Sequence, residues 1–394
     1  MSRSPSSVAA GIKRSGIREI MNLAAQQPDA IHLEVGEPAF DTPAHVRAAA
    51  EAAARDGFTR YTANKGLPEV RASIARKLAR RNQLEVSPEQ IVVTCGAVNG
   101  IMAAYSALLD PGDAALIPDP AWPNYEMMIL ARHAVPVRYS LVPETGFQPD
   151  LDQIERLAAT TPSLKAILVN SPSNPTGTIV STAALERIVE IARAHDLYVI
   201  ADDVYEDMVF DGPPGPIAAS MDRDERVVSA FSLSKSYAMT GWRVGYVVAR
   251  QDLADLIEKM QEAVISCASS VSQKAAQAAI DGDQACVEEM RRAYAERRDI
   301  AVDVLGRAGM LVARPTGAFY AMADVSATGM SGTDFARRLL LDHGVAVAPG
   351  EAFGPGGAGM VRISLAPSRA SLETGLDRLV GAARRWSPGA GGRI

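Results

Sequence analysis

The chain has 394 residues, 47% of them apolar, and a formal net charge of −6. That length suits two or more domains with sizeable cores, and the apolar share excludes disorder as the default state. The negative charge argues against nucleic acid or an anionic membrane as main partner, and no apolar run is long enough to span a bilayer.

Cys95, Cys267 and Cys286 form neither a C-x-x-C pair nor a disulfide framework, as expected in a reducing compartment. The stretch from Met1 to Arg14 lacks the apolar core of a secretory signal, so the expected location is cytoplasmic. The 5 histidines are scattered without ligand-like spacing, and no structural metal is expected.

In chain order, the low-complexity ends Ser2–Ser7 and Ser387–Gly392 read as frayed termini. Thr42 and Pro43 read as an N-cap and a first-turn proline, opening a helix over Ala44–Asp56 that Gly57 stops. Leu67–Arg81 shows helical apolar spacing. β-rich runs follow at Ile91–Thr94, Ala114–Ile117, Val135–Tyr139, Ala166–Val169, Tyr198–Ala201, Val227–Phe231 and Val244–Ala249. Helical patterns separate many of them, including Val98–Leu109, Leu151–Ala159, Thr182–His195 and Leu253–Val264. Several of the runs are almost wholly apolar, as expected for strands covered by helices on both faces. The alternation predicts a doubly wound α/β domain with a mostly parallel sheet. A long helical pattern at Cys286–Ala308 leads into shorter mixed elements, a smaller α+β domain. The expected division is 1–45 as an arm and part of the small domain, 46–285 as the large domain, and 286–394 as the small C-terminal domain.

Ligands of open α/β sheets gather at the carboxyl ends of the strands. Asn170 and Asn174 follow one apolar run, Asp202 ends a second, and Lys235 follows a third, so their loops can meet in one crevice. The stretch Ser232–Gly245 sets Lys235 among Ser232, Ser234 and Ser236, with Arg243 a short loop further on. A lysine in a partly dry pocket can lose its proton and attack a carbonyl to form a Schiff base. Hydroxyls and an arginine beside it suit a phosphate. Aldehyde chemistry next to a phosphate anchor points to pyridoxal 5'-phosphate (PLP), whose ring is an electron sink. Arg362 lies in an apolar strand-like run, where an unpaired guanidinium is costly and needs an anion. Gly354–Gly359 satisfies G-x-G-x-x-G literally, yet it precedes a strand and not a helix; it reads as a flexible loop near Arg362.

Ser232–Gly245 resembles the lysine signature of class I/II aminotransferases, the PLP enzymes of fold type I. The resemblance runs from about Leu33 to about Ser364 in the family's motif order. It implies that Lys235 holds the cofactor as an internal aldimine and then shuttles the substrate proton. It implies that Asp202, first of the Asp202–Asp203 pair, holds the pyridine nitrogen protonated, leaving Asp203 as a helix cap. Tyr205 and Asn174 would hydrogen-bond the ring 3'-oxygen, and Trp122 would stack on the ring. Ser232, Ser234, Arg243 and the helix start at Gly96, Ala97 and Val98 would hold the phosphate. Tyr61 matches a tyrosine that reaches across from a neighbouring subunit, which implies a homodimer with a shared active site. Arg362 and the backbone of Gly36 would hold the substrate α-carboxylate.

The activity implied is transfer of an amino group from an L-amino acid to a 2-oxo acid by a ping-pong cycle. A β-lyase or a racemase of the same fold type remains an alternative. A PLP-binding transcription regulator is more distant, since it needs a basic DNA-binding module ahead of motifs that begin by Leu33. Some dicarboxylate-specific members carry a lysine where this chain has Val98. Aspartate specificity therefore requires another arginine, and the reading favours a neutral or aromatic donor with 2-oxoglutarate or pyruvate as acceptor.

Overall fold

Runs of Val, Ile and Ala alternate their side chains between two covered faces, and this builds the central sheet. In the computed structural model, which describes residues 3–387, eight strands lie side by side. Their spatial order is Ile91–Thr94, Gly245–Val248, Val227–Ser232, Tyr198–Asp202, Leu164–Asn170, Ala114–Asp119, Val135–Val142 and Gln148–Pro149. The run from Val227–Ser232 to Val135–Val142 is parallel throughout. Gly245–Val248 is antiparallel to both neighbours, and the short edge strand Gln148–Pro149 is also reversed. Of the ends read as frayed, Ser2 and positions 388–392 lie outside the described residues, whereas Ser6 caps the short helix Ser7–Gly11 and Ser387 donates to the Ala383 carbonyl at 2.9 Å.

Successive strand residues alternate between two covered faces. Ile200 packs into one core with Ile117, Leu168 and Tyr125, while Val199 and Ala201 join the opposite core with Ile167 and Ile188. Fully burying one such branched side chain contributes about 1.5–3 kcal/mol. The period of two then carries Asp202 to the same side as Ile200, and Asp203 to the other. Helices start at polar caps: Asp150 for Leu151–Thr160, Ser181 for Thr182–Ala194 and Ser269 for Ser270–Asp281 each accept a first-turn N–H.

The helix expected at Ala44–Asp56 spans Ala44–Arg55, but Thr42 does not cap it. Thr42 instead accepts from Trp242 Nε1 at 3.0 Å and donates to the carbonyl of Ala238 at 2.7 Å, tying the N-terminal segment to the lysine loop. A second core gathers Leu33, Phe319, Phe335, Leu339 and Leu376 around the long helix Ala285–Arg307. Its antiparallel sheet joins Tyr320–Asp324, Met360–Ser364 and Ala348–Pro349, and the N-terminal strand Ile31–His32 pairs with Val345–Ala346. The helix Gly16–Ala24 buries Ile20 and Ala24 against this part of the molecule. The Gly354–Gly359 loop buries Gly354 and Gly357 and exposes Pro355, Gly356 and Ala358, and its Gly356 N–H donates to Asp119 Oδ1 at 2.9 Å, within a pair of 3-10 turns.

Candidate active site

At the carboxyl ends of the parallel strands lies a cavity of about 480 Å³. Lys235, Asp202, Tyr205, Asn174, Trp122, Ser232, Ser234, Arg243, Gly96, Ala97, Val98, Gly36 and Arg362 all line it. Tyr61 does not; it is 89% exposed on the surface of this chain.

Lys235 sits in the short helix Leu233–Ser236 directly after its strand, and Ser232 caps that turn by accepting from Ser234 N at 3.1 Å. Its Nζ donates to the Gly36 carbonyl at 2.7 Å and lies 5.9 and 5.8 Å above the rings of Tyr205 and Phe319. Burial lowers its pKa to about 8, helped by the charges of Arg362 and Arg243 and opposed by Glu37 and Asp202. Gly36 has no room for a side chain, since a Cβ there would come within 2.2 Å of the Tyr320 hydroxyl.

Asp202 is 3% exposed and accepts from the Tyr125 hydroxyl at 2.5 Å and from Val204 N at 3.3 Å. Burial raises its pKa to about 6, outweighing those two donors and the charge of Lys235. Asp203 is no helix cap: it is buried on the opposite side, its N–H donates to the carbonyl of Ala230, and one carboxylate oxygen has no partner. Tyr205 pairs its hydroxyl with that of Tyr320 at 2.8 Å. Trp122 stands edge-on to Tyr125, ring centres 5.4 Å apart.

At the start of the helix Gly96–Leu108, Cys95 makes no side-chain cap, so the first-turn N–H groups of Ala97 and Val98 stay ready for an anion. Arg243 is held there in the left-handed region at φ 50°, a conformation that costs about 1 kcal/mol or more. Its guanidinium donates to the Thr240 carbonyl at 2.9 Å and crowds Gly96, where a Cβ would approach Nη2 to 2.6 Å.

Arg362 is 3% exposed, and among the described residues it pairs with no carboxylate. It donates to Asn174 Oδ1 at 2.9 Å and to the Glu34 carbonyl at 2.5 Å, lies over the Tyr320 ring at 4.3 Å, and leaves Nε without a partner. Neutral acceptors do not balance a buried cation, so the site calls for an anionic ligand. The ion pair that could have explained Arg362 structurally is absent among the described residues.

A model of the family described as aminotransferase class I and II matches residues 28–379. The chain belongs to this family. An aspartate aminotransferase from Pyrococcus abyssi is 37% identical over 93% of this chain and 95% of its own length. An aromatic-amino-acid aminotransferase from Thermococcus litoralis is 34% identical over 93% of this chain and 95% of its own. The solved structure of Thermus thermophilus aspartate aminotransferase with maleate superimposes with a TM-score of 0.91 at 34% identity, covering 96% of this chain and 100% of that one. The protein is a transaminase of fold type I that uses PLP.

The aminotransferase's residues fit that cofactor on their own geometry. An amine of lowered pKa, a buried carboxylate, and an uncapped helix start crowded by an arginine sit around one cavity. Sequence reasoning assigned no role to Tyr125, Tyr320 or Glu34, nor to the helix that brings Ile17, Arg18 and Met21 to the wall. Tyr125 lies three residues after Trp122, in the helix Asn124–Ala131, but its partner Asp202 is 77 positions away, so no local spacing announces the contact. A tyrosine inside the apolar strand Tyr320–Asp324 was a weak signal of a buried polar partner.

Proposed function

We propose that this aminotransferase works through the residues gathered at the cavity, with a neutral or aromatic L-amino acid as donor and 2-oxoglutarate or pyruvate as acceptor. The observation that carries the reading is Lys235 Nζ, held at 2.7 Å by the Gly36 carbonyl in the cavity that Asp202 and Arg362 also line. Bound there, PLP supplies an electron sink for the charge left when the substrate Cα proton is removed. Lys235 would bind the aldehyde carbon covalently and afterwards carry the Cα proton. Asp202 would hold a proton on the pyridine nitrogen, since a carboxylate in this dry position favours a cationic partner. Ser232, Ser234, Arg243 and the N–H groups of Ala97 and Val98 would hold the phosphate. Tyr205 and Asn174 would meet the 3'-oxygen, and Trp122 a ring face. Arg362, with the Gly36 backbone, would clamp the α-carboxylate and so fix which Cα bond breaks. Asn174 already engages Arg362, which couples the two halves of the site.

The test is to supply PLP, a panel of amino donors and a 2-oxo acid, and to assay both keto products and ammonia. Stoichiometric exchange of the amino group without ammonia is expected. Pyruvate and ammonia formed without an acceptor would favour the β-lyase, and loss of optical activity alone the racemase.

The exposed Tyr61 supports a homodimer in which each subunit lends this residue to its neighbour's phosphate site. Sedimentation of the loaded protein is expected to show a dimer, and Tyr61→Phe to weaken PLP retention by about 10-fold through loss of one charge-assisted donor. An active monomer overturns this. The separate cores around the central sheet and around Ala285–Arg307 support a large domain at 46–285 and a small one at 286–394 with the 1–45 arm; limited proteolysis near 285 is the check. Three free cysteines support a cytoplasmic location, to be checked by cell fractionation.

A further inference from the structure

A second cavity, of about 230 Å³, lies on the other face of the strand Tyr198–Asp202 and shares no lining residue with the first. Alternation along that strand turns Asp202 into the first cavity and brings Ala201 and Asp203 to the wall of the second. One side of it is apolar, built by the buried residues Val169, Val180, Leu185 and Ile217. The charged residues on its wall are Arg81, Asp203, Glu206 and Asp211. Three of the four have partners. Glu206 accepts from Lys77 Nζ at 2.5 Å and from Asn82 Nδ2 at 2.6 Å, Asp211 pairs with Arg298 at 2.9 Å, and Arg81 pairs with Asp207 at 2.5 Å.

Asp203 is the exception. It is 4% exposed, its Oδ2 has no hydrogen-bond partner, and among the described residues no cation pairs with it. The nearby Ser229 hydroxyl, also without a partner, has one proton to give and cannot serve both oxygens. The helix start at Thr182 does not balance the charge either, since Ser181 caps it and both residues stand in water. Burial, and then the charge of Glu206, holds the Asp203 carboxyl well above the ordinary carboxylate range. A buried carboxylate left in this condition is costly unless a donor of opposite charge arrives. The apolar wall beside it suits a carbon body on that donor. An amino acid does not fit, because its carboxylate would meet three acids, and the one cation on the wall is already paired. Nor do three metal-ligating side chains converge among the described residues.

We propose that this second cavity binds a small apolar amine in its protonated form, with its N–H donating to Asp203 and its carbon body against Val169, Val180, Leu185 and Ile217.

The test titrates the PLP-loaded protein in a calorimeter with two probes, butyldimethylammonium and butan-1-ol. A tertiary nitrogen forms no imine with PLP, so the cation is not captured by the cofactor. Both probes offer the same butyl chain, and only the first offers a charged N–H donor. The wild-type protein is expected to bind the cation at least about 10-fold more tightly than the alcohol, the size of one charge-assisted hydrogen bond. Asp203→Asn keeps the shape and removes the charge, so it should bring that ratio close to one while the visible absorbance of the cofactor stays unchanged. Val180→Phe narrows the apolar side and should weaken both probes with Asp203 intact. Equal affinities in the wild type overturn the proposal without recourse to any variant. A ratio undiminished in Asp203→Asn overturns it too, since the cation would then sit on other acids, such as Glu34 and Glu37 of the first cavity.

Discussion

Lys235→Ala is expected to retain PLP without a covalent bond, to lose the borohydride-trappable linkage, and to turn over at least about 10,000-fold more slowly. That size reflects the loss of a covalent anchor and of a positioned proton carrier together. The alanine should leave the fold intact, because the lysine lines the cavity and its amine bonds only one backbone carbonyl. Absorbance after reduction, and single-turnover kinetics, read the two losses separately. The wild-type apoprotein supplies the matching pH signature. A lysine whose pKa lies at about 8 is mostly protonated below that pH, so covalent capture of the aldehyde should accelerate as pH rises through about 8 and then level off. Full turnover by Lys235→Ala would refute the assignment of the site.

Asp202→Asn should separate activity from stability. An amide cannot hold the pyridine nitrogen as a cation, so kcat should fall by about 100- to 1,000-fold, the scale of losing one fixed electrostatic partner in a dry site. The apoprotein, however, should become more stable. The folded state raises the Asp202 pKa from 3.8 to about 6, so it binds that proton more tightly than the unfolded chain does. Ionisation then costs folding stability, by about 3 kcal/mol once pH exceeds about 6. The amide escapes that cost but weakens the bonds from Tyr125 and Val204, which leaves a net gain of about 1 kcal/mol or more. Calorimetry at pH 7 should show a Tm raised by about 2 °C in the apoprotein. The gain should disappear below about pH 4, where the aspartate is protonated in both states. A variant destabilised at pH 7 would mean that the carboxylate is needed to hold the loop, against the reading that it is retained for function.

Much of this was legible from local sequence. Ala166, Ile167, Leu168 and Val169 are apolar throughout because both faces of their strand meet packed cores, so composition announced a covered strand of the mostly parallel sheet. The lysine stretch was legible because short-range chemistry needs its hydroxyls and arginine within a few positions. Boundaries were less certain. The helix at Gly96 begins two residues before the pattern suggests, since glycine and alanine carry little periodic signal. Thr42 looked like a cap, and its sequence context could not reveal that Trp242, 200 positions later, would claim its hydroxyl.

The sequence by itself determined the order of strands and helices, the choice of Asp202 over Asp203 once motif and alternation are combined, and the set of residues able to serve a phosphate, an aldehyde and a carboxylate. These follow from nearest-neighbour sterics and burial, which act along the chain. Tertiary structure alone decided that Arg362 is buried with neutral partners, that Tyr125 braces Asp202, and that the helix carrying Arg18 stands at the cavity mouth. Those are charge and packing relations between segments far apart in the chain. Their energies depend on the distance and burial that only the folded chain sets.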